Sequence, residues 1–146
     1  MNKLLYALIF ITLSAHCYAE DIHLDLQNKN DFVIVSVENF SPKDVRVSKL
    51  FTQNPAFGLI TVNLWVNGRI VGFKSPPNEN FPSESDYLTL RPFDIMGRIF
   101  PIADIRRSYG ITAKCFLMSV TYHDVMAKKY MAYASTIKSK QITICR

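Results

Sequence analysis

The sequence predicts an all-β protein: an antiparallel β-sandwich of about seven to eight short strands with one short helical crossover. Three observations predict it. Short runs rich in β-branched and aromatic residues recur along the chain, several alternating apolar and polar residues at the period of two that a half-buried strand requires. Clusters of Asn, Asp, Gly, Pro and Ser separate these runs at regular intervals. Only one segment, 102–109, carries helical spacing.

Residues 1–19 stand apart from that pattern. Met1-Asn2-Lys3 is a positive start, Leu4 to Leu13 is an unbroken apolar run, and Cys17 and Ala19 place small residues at −3 and −1 of a break before Glu20. This is the three-part layout of a secretory signal peptide, with an apolar run too short to span a bilayer. The expectation is a cleaved leader, 1–19, and a mature chain, 20–146, that forms one domain and is periplasmic or secreted. In a second reading Cys17 is kept and lipidated, although lipoprotein signals normally place Gly or Ala where this chain has His16.

The strands follow in order. Ile22-His23-Leu24-Asp25-Leu26 alternates and reads as a half-buried first strand. Asn28-Lys29-Asn30-Asp31 is a turn cluster, and Phe32 to Val37 is a β-branched run of the kind buried on both sides. Ser41-Pro42 breaks it, and Val45 to Leu50 alternates again. In Leu59 to Val66, residues Ile60, Val62, Leu64 and Val66 form a wholly apolar face that should meet the core. Asn67-Gly68 then leads into Arg69 to Phe73. Asn-Gly between two such runs is the strongest short hairpin signal, because both central residues of a type I′ turn need positive φ.

Residues 74–86, with Pro76, Pro77 and Pro82, form an irregular loop, and Tyr87 to Leu90 is a short strand ended by Pro92. Ile102 and Ile105, with Arg106, Arg107 and Tyr109 behind them, fit one or two helical turns crossing an end of the sandwich and closed by Gly110. Ile111 to Tyr122 reads as a long strand. Lys129 to Ile137 and Gln141 to Cys145 complete the set.

The second half carries a further set of marks. Tyr87-Leu88-Thr89-Leu90 precedes Pro92, a segment containing Gly97 leads to Pro101-Ile102-Ala103-Asp104-Ile105, and Tyr109-Gly110-Ile111-Thr112-Ala113 opens the long strand. Ala134 to Ser139 then precedes Gln141-Ile142-Thr143-Ile144. Over residues 87–145 the chain is similar to bacterial exported immunoglobulin-like sandwich domains. It departs from them in having Ile111 where an aromatic is common, and it lacks a Cys–Trp–Cys framework, since no cysteine of the mature chain precedes Trp65. The resemblance implies an immunoglobulin-like fold and no particular activity, because such sandwiches serve as adhesins, chaperones, inhibitors and accessory modules.

Chemistry is sparse. Once Cys17 leaves with the leader, Cys115 and Cys145 form an even pair without CxxC spacing, and in an oxidising compartment they are expected to form a disulfide. Closing that loop stabilises the fold by roughly 3–4 kcal/mol in the chain-entropy view. His23 and His123 are the histidines of the mature chain, and neither HxxxH nor CxxC spacing accompanies them, so no metal site is expected. His123-Asp124 reads as a turn after Tyr122. No GxSxG elbow or phosphate-cradling glycine pattern occurs, and Glu79, Glu84 and Asp86 fall in or beside the Pro-rich loop. The expectation is therefore no catalytic residues and no cofactor.

Cleavage would remove Lys3 from 17 basic residues and none of the 12 acidic ones, leaving a net charge of +4 in place of +5. Arg106-Arg107 and Lys128-Lys129 are the only adjacent basic pairs, which makes no stripe for nucleic acid. Nothing after the leader approaches the ~20 apolar residues of a membrane span. Two features suit protein binding. Arg106, Arg107 and Tyr109 combine types enriched in interface hot spots. The loop Phe73 to Phe81 (with Lys74, Pro76 and Pro77) has an aromatic at each end and prolines that limit its entropy. Lys128-Lys129-Tyr130-Met131 is read as an edge protected by lysine. The expected partner is another protein, most concretely an envelope enzyme or toxin that the chain inhibits, or else a component of a surface assembly.

Overall fold

A computed structural model of the chain describes residues 21–51, 59–74 and 82–145. The leader, with the Cys17 alternative, and the loop residues Pro76, Pro77, Glu79 and Phe81 lie outside them. Ten strands and one α-helix follow in order: β1 (Ile22–Lys29), β2 (Phe32–Asn39), β3 (Val45–Ser48), β4 (Ile60–Val66), β5 (Arg69–Val71), β6 (Tyr87–Leu90), β7 (Ile95–Pro101), α1 (Ile102–Tyr109), β8 (Cys115–Tyr122), β9 (Ile137–Lys138) and β10 (Ile142–Cys145). They form an antiparallel β-sandwich. One sheet has the order β1-β2-β7, a second β10-β8-β4-β5 with β9 also on β8, and β3 pairs with β6 as a small third sheet.

Local chemistry accounts for most of these elements. Asn67 and Gly68 take φ of 50° and 76°, and Val66 pairs with Arg69, so the Asn-Gly hairpin forms as expected. A second tight hairpin has Lys29 opposite Phe32, with Asn30 at φ 54° in the turn. In β4, Ile60, Val62 and Leu64 are buried as the alternation predicts. They meet Val33, Val35 and Val37 of β2, Leu24 and Leu26 of β1, and Phe116, Met118 and Val120 of β8 in one continuous core. Burial of this kind, at about 25 cal/mol per Å² of apolar surface, is the main force holding the layers together.

The helical crossover also forms as expected. Helix α1 carries the chain from β7 in one sheet to β8 in the other and ends at Gly110, whose N–H reaches the carbonyls of Arg106 and Arg107. Cys115 and Cys145 stand directly opposite each other on β8 and β10 and are joined by a disulfide. The last strand is bent between β9 and β10 at Ser139, whose hydroxyl accepts the N–H of Val120 at 2.9 Å while its own N–H donates to the Val120 carbonyl.

Two expectations are corrected, and one strand appears that none of them covered. The strand expected over Lys129 to Ile137 is absent except for its last residue, and residues 125–131 are a series of turns. Asp124 starts them by accepting the Met126 N–H at 2.8 Å, and the buried Ala127 and Tyr130 lie three residues apart, a helical spacing. The uncovered strand is β7, which alternation does not reveal, because both of its faces carry apolar residues around Gly97. The second correction is that β2 is not buried on both sides: Phe32 is exposed and Ile34 only half-buried on the face away from the core.

Candidate functional site

Helix α1 presents its two adjacent arginines in opposite ways. Ile102, Ile105, Arg106 and Tyr109 form the inward stripe at spacings of three, four and seven, so Arg106 occupies a core-facing position. Its guanidinium donates to the carbonyls of Ala113 and Lys114 at 2.6 and 2.9 Å and lies 5.1 Å over the Phe116 ring. Arg106 thus holds the turn between α1 and β8. Tyr109 is buried beside it, in edge contact with Phe73 at 5.1 Å, and burial pushes its phenol up to about 12. Arg107 is exposed and pairs with Asp104 of its own helix. Lys74 is exposed and its backbone N–H donates to the Ser108 carbonyl at 2.9 Å. The structure therefore brings Arg106, Tyr109, Phe73 and Lys74 together at one end of the sandwich. Of the expected binding residues among those described, only Arg107 and Lys74 point to solvent.

The described carboxylates of the 82–86 segment are engaged locally. Glu84 pairs with Arg46, and Asp86 accepts the N–H and hydroxyl of Ser83 at 2.8 and 2.6 Å. The Ser83 bonds hold the Asp86 carboxyl below its ordinary pKa. His123 contacts Thr136 at 2.8 Å, whereas His23 lies on the other sheet. Among the described residues no group of three or more His, Cys, Asp or Glu is placed to hold a metal ion. Nor is any described helix long and apolar enough to cross a membrane.

A different surface stands out. Eight large apolar residues are exposed among the described residues, and five of them (Phe32, Phe40, Phe93, Ile95 and Ile99) belong to the β1-β2-β7 sheet or the turns at its end. Register explains the clustering. The outer face runs in rows of His23–Glu38–Ile95, Asp25–Ser36–Gly97, Gln27–Ile34–Ile99 and Lys29–Phe32–Pro101. It changes from polar on β1 to apolar on β7. Ile95 and Ile99 are 64% and 59% exposed, far beyond what a core residue shows, and no described element covers them. Phe40, also exposed, packs edge-on against the His23 ring at 4.9 Å on the β1 side.

Phe93 completes this surface from the turn Arg91–Asp94. Pro92 precedes it, Asp94 N–H donates to the Arg91 carbonyl, and Phe93 has φ 68°, the pattern of a type II turn whose third residue is usually Gly or Asn. An aromatic there is strained, and this one is 76% exposed. Asn39 holds it in place. Its side chain makes four hydrogen bonds, to Lys43, Leu90 and twice to Ser41, while its backbone carbonyl accepts the Phe93 N–H at 2.7 Å. A buried, fully bonded asparagine therefore fixes an exposed phenylalanine.

Alternation does not mark β7 as a strand, so the sequence alone gives no frame for the outward direction of Ile95 and Ile99. The available signal was Asp94-Ile95-Met96-Gly97-Arg98-Ile99-Phe100, a run too apolar for a loop. No protein-family model matches the chain, and comparison with characterised proteins finds no match to its sequence.

Proposed function

We propose that the chain is an exported, non-catalytic protein-binding module, and that its most concrete form is an inhibitor or immunity protein acting on an enzyme of the cell envelope. The observation supporting the reading is the apolar outer face of β1-β2-β7, with Ile95, Ile99 and the strained Phe93 facing solvent. Contiguous exposed apolar surface is characteristic of interaction sites, and backbone strain at an exposed aromatic is retained where it serves a contact. Export rests on the leader pattern of residues 1–19.

A second reading, an accessory of a surface assembly or fibre, is favoured by the open edge of β7, which suits strand addition. One experiment separates the two. The tagged mature protein is crosslinked in its own envelope fraction, recovered, and its partners identified by mass spectrometry, alongside the double variant Phe93→Ser/Ile95→Ser. Stoichiometric recovery of one hydrolase or toxin, lost in the variant, supports the inhibitor form. Recovery of fibre or outer-membrane components supports the assembly form. A partner retained equally by the variant places binding elsewhere and overturns the assignment of this face.

A further inference from the structure

The free edge of β7 has a geometry that goes beyond a general binding face. In the β2–β7 ladder, Asn39 N–H donates to the Asp94 carbonyl, Ile102 N–H donates to the Asp31 carbonyl, and the register between them is unbroken. Antiparallel ladders alternate bonded and non-bonded pairs. The even positions 94 to 102 therefore direct their backbone groups to β2. The odd positions Ile95, Gly97 and Ile99 direct theirs the other way. Among the described residues no strand pairs with that side.

Other edges are blunted. β5 has three residues and begins with Arg69, β10 has four, and β1 packs towards β8, β9 and β10 where the sandwich closes. β7 has seven residues and a single charge, Arg98. Arg98 turns inward and donates to the Phe51 carbonyl at 2.9 Å. A long, largely apolar edge with no partner strand among the described residues is a template for another strand.

We propose that β7 pairs antiparallel with β7 of a second copy of this chain, about a two-fold axis at Gly97, to give a continuous six-stranded sheet. Self-complementarity favours this occupant. Centred on Gly97, the pairing sets Ile95 opposite Ile99 of the other copy on the outer face and Gly97 opposite Gly97. Met96 then lies opposite Arg98, so no like charges meet. Asp94, whose carboxylate accepts the Arg91 N–H at 2.8 Å, falls diagonal to Arg98 of the second copy on the inner face, so the charges nearest across the seam are of opposite sign. Ile95, Gly97 and Ile99 would exchange six main-chain hydrogen bonds with their mates. A Cβ at Gly97 would lie 2.8 Å from the Val35 carbonyl and 3.2 Å from Ser36 Cβ, so glycine also lets β7 sit close to β2. This inference does not rest on the proposed function and can be tested on the pure protein.

The experiment uses the mature oxidised chain, whose Cys115 and Cys145 are bonded to each other. Sedimentation equilibrium across a concentration series reads the mass, and the variants are Ile99→Pro and Ile95→Cys/Ile99→Cys. Ile99→Pro removes an N–H that β2 does not use, at an edge position that tolerates proline. The wild type is expected to reach twice the monomer mass, with association weakened roughly tenfold or more by Ile99→Pro at an unchanged circular dichroism spectrum. The double-cysteine variant is expected to form a covalent dimer on oxidation, whereas Ile95→Cys alone is not. A monomer at every concentration overturns the proposal. So does a dimer that survives Ile99→Pro and is not trapped by the 95–99 pair.

Discussion

The two main sheets share one core but differ on their outer faces. On the β10-β8-β4-β5 sheet the outward residues include Thr61, Asn63, Ser119, Thr121 and Thr143, and Asn63 donates to the Thr121 hydroxyl at 3.2 Å. The disulfide lies across the same sheet. On the β1-β2-β7 sheet the outward side grades into Phe32, Ile34, Ile95 and Ile99 with no covering element among the described residues. One sheet finishes most of its surface with hydroxyls and a covalent tie, apart from a single apolar row, Ile70–Trp65–Leu117. The other leaves apolar area in water, where it adds nothing to the stability of the single chain. Their difference separates residues that hold the fold from residues available for a partner.

The sharpest test of that division is the disulfide against the open face. Cys115→Ser/Cys145→Ser should cost about 3–4 kcal/mol, read as a lower urea midpoint, whereas Ile99→Ser should stay within about 0.5 kcal/mol. Equal losses would mean that Ile99 is buried in the working protein. Next in size are the neighbours on α1. Arg106→Met should lose about 2–4 kcal/mol, because two carbonyls lose charged donors, while Arg107→Met should lose less than about 0.5. A reversed order would place Arg106 outside the turn it holds.

Alkaline pH probes the closed side of the molecule. Burial pushes Tyr109 and Tyr122 up to about 12 from an ordinary 10, and burial with the Asp124 bond raises Tyr87 further. The folded state therefore favours the neutral phenols. Their contribution is fully present below pH 10 and is lost as pH rises through 12. Tyrosinate absorbance and loss of the circular dichroism signal should rise together in that window. Tyrosinate forming in full below pH 10.5, with the fold intact, would show these phenols to be exposed. A small gain is expected from Phe93→Gly, which should raise stability by about 0.5–1 kcal/mol by relieving positive φ while weakening any contact through this face.

Much of the fold was legible in the sequence because local chemistry decides it. Asn67-Gly68 specifies a hairpin on its own, the β4 alternation names its core face, and the even cysteine pair anticipates the bond between β8 and β10. Alternation fails where both sides of a strand are apolar, which hides β7 and the exposed face together. The strand expected over Lys129 to Ile137 gives way to turns, because Ala127 and Tyr130 enter the core at a spacing of three. Arginine is seldom buried, so composition places Arg106 at the surface, although its position in the 102, 105, 106, 109 stripe points inward. The Phe93 surface was out of reach, since Asn39 must be seen to bond four ways before the turn it anchors has meaning.

The Cys115–Cys145 link also restricts how copies of this chain can entangle. It fastens β10 to β8 of the same molecule, so the terminal strand cannot swing out and complete a neighbour's sheet while the bond is closed. Exchange of that strand becomes open only to the reduced chain. In an oxidising space association is confined to surfaces that are already formed, and a reducing one would add a slow route to interlocked, domain-swapped species.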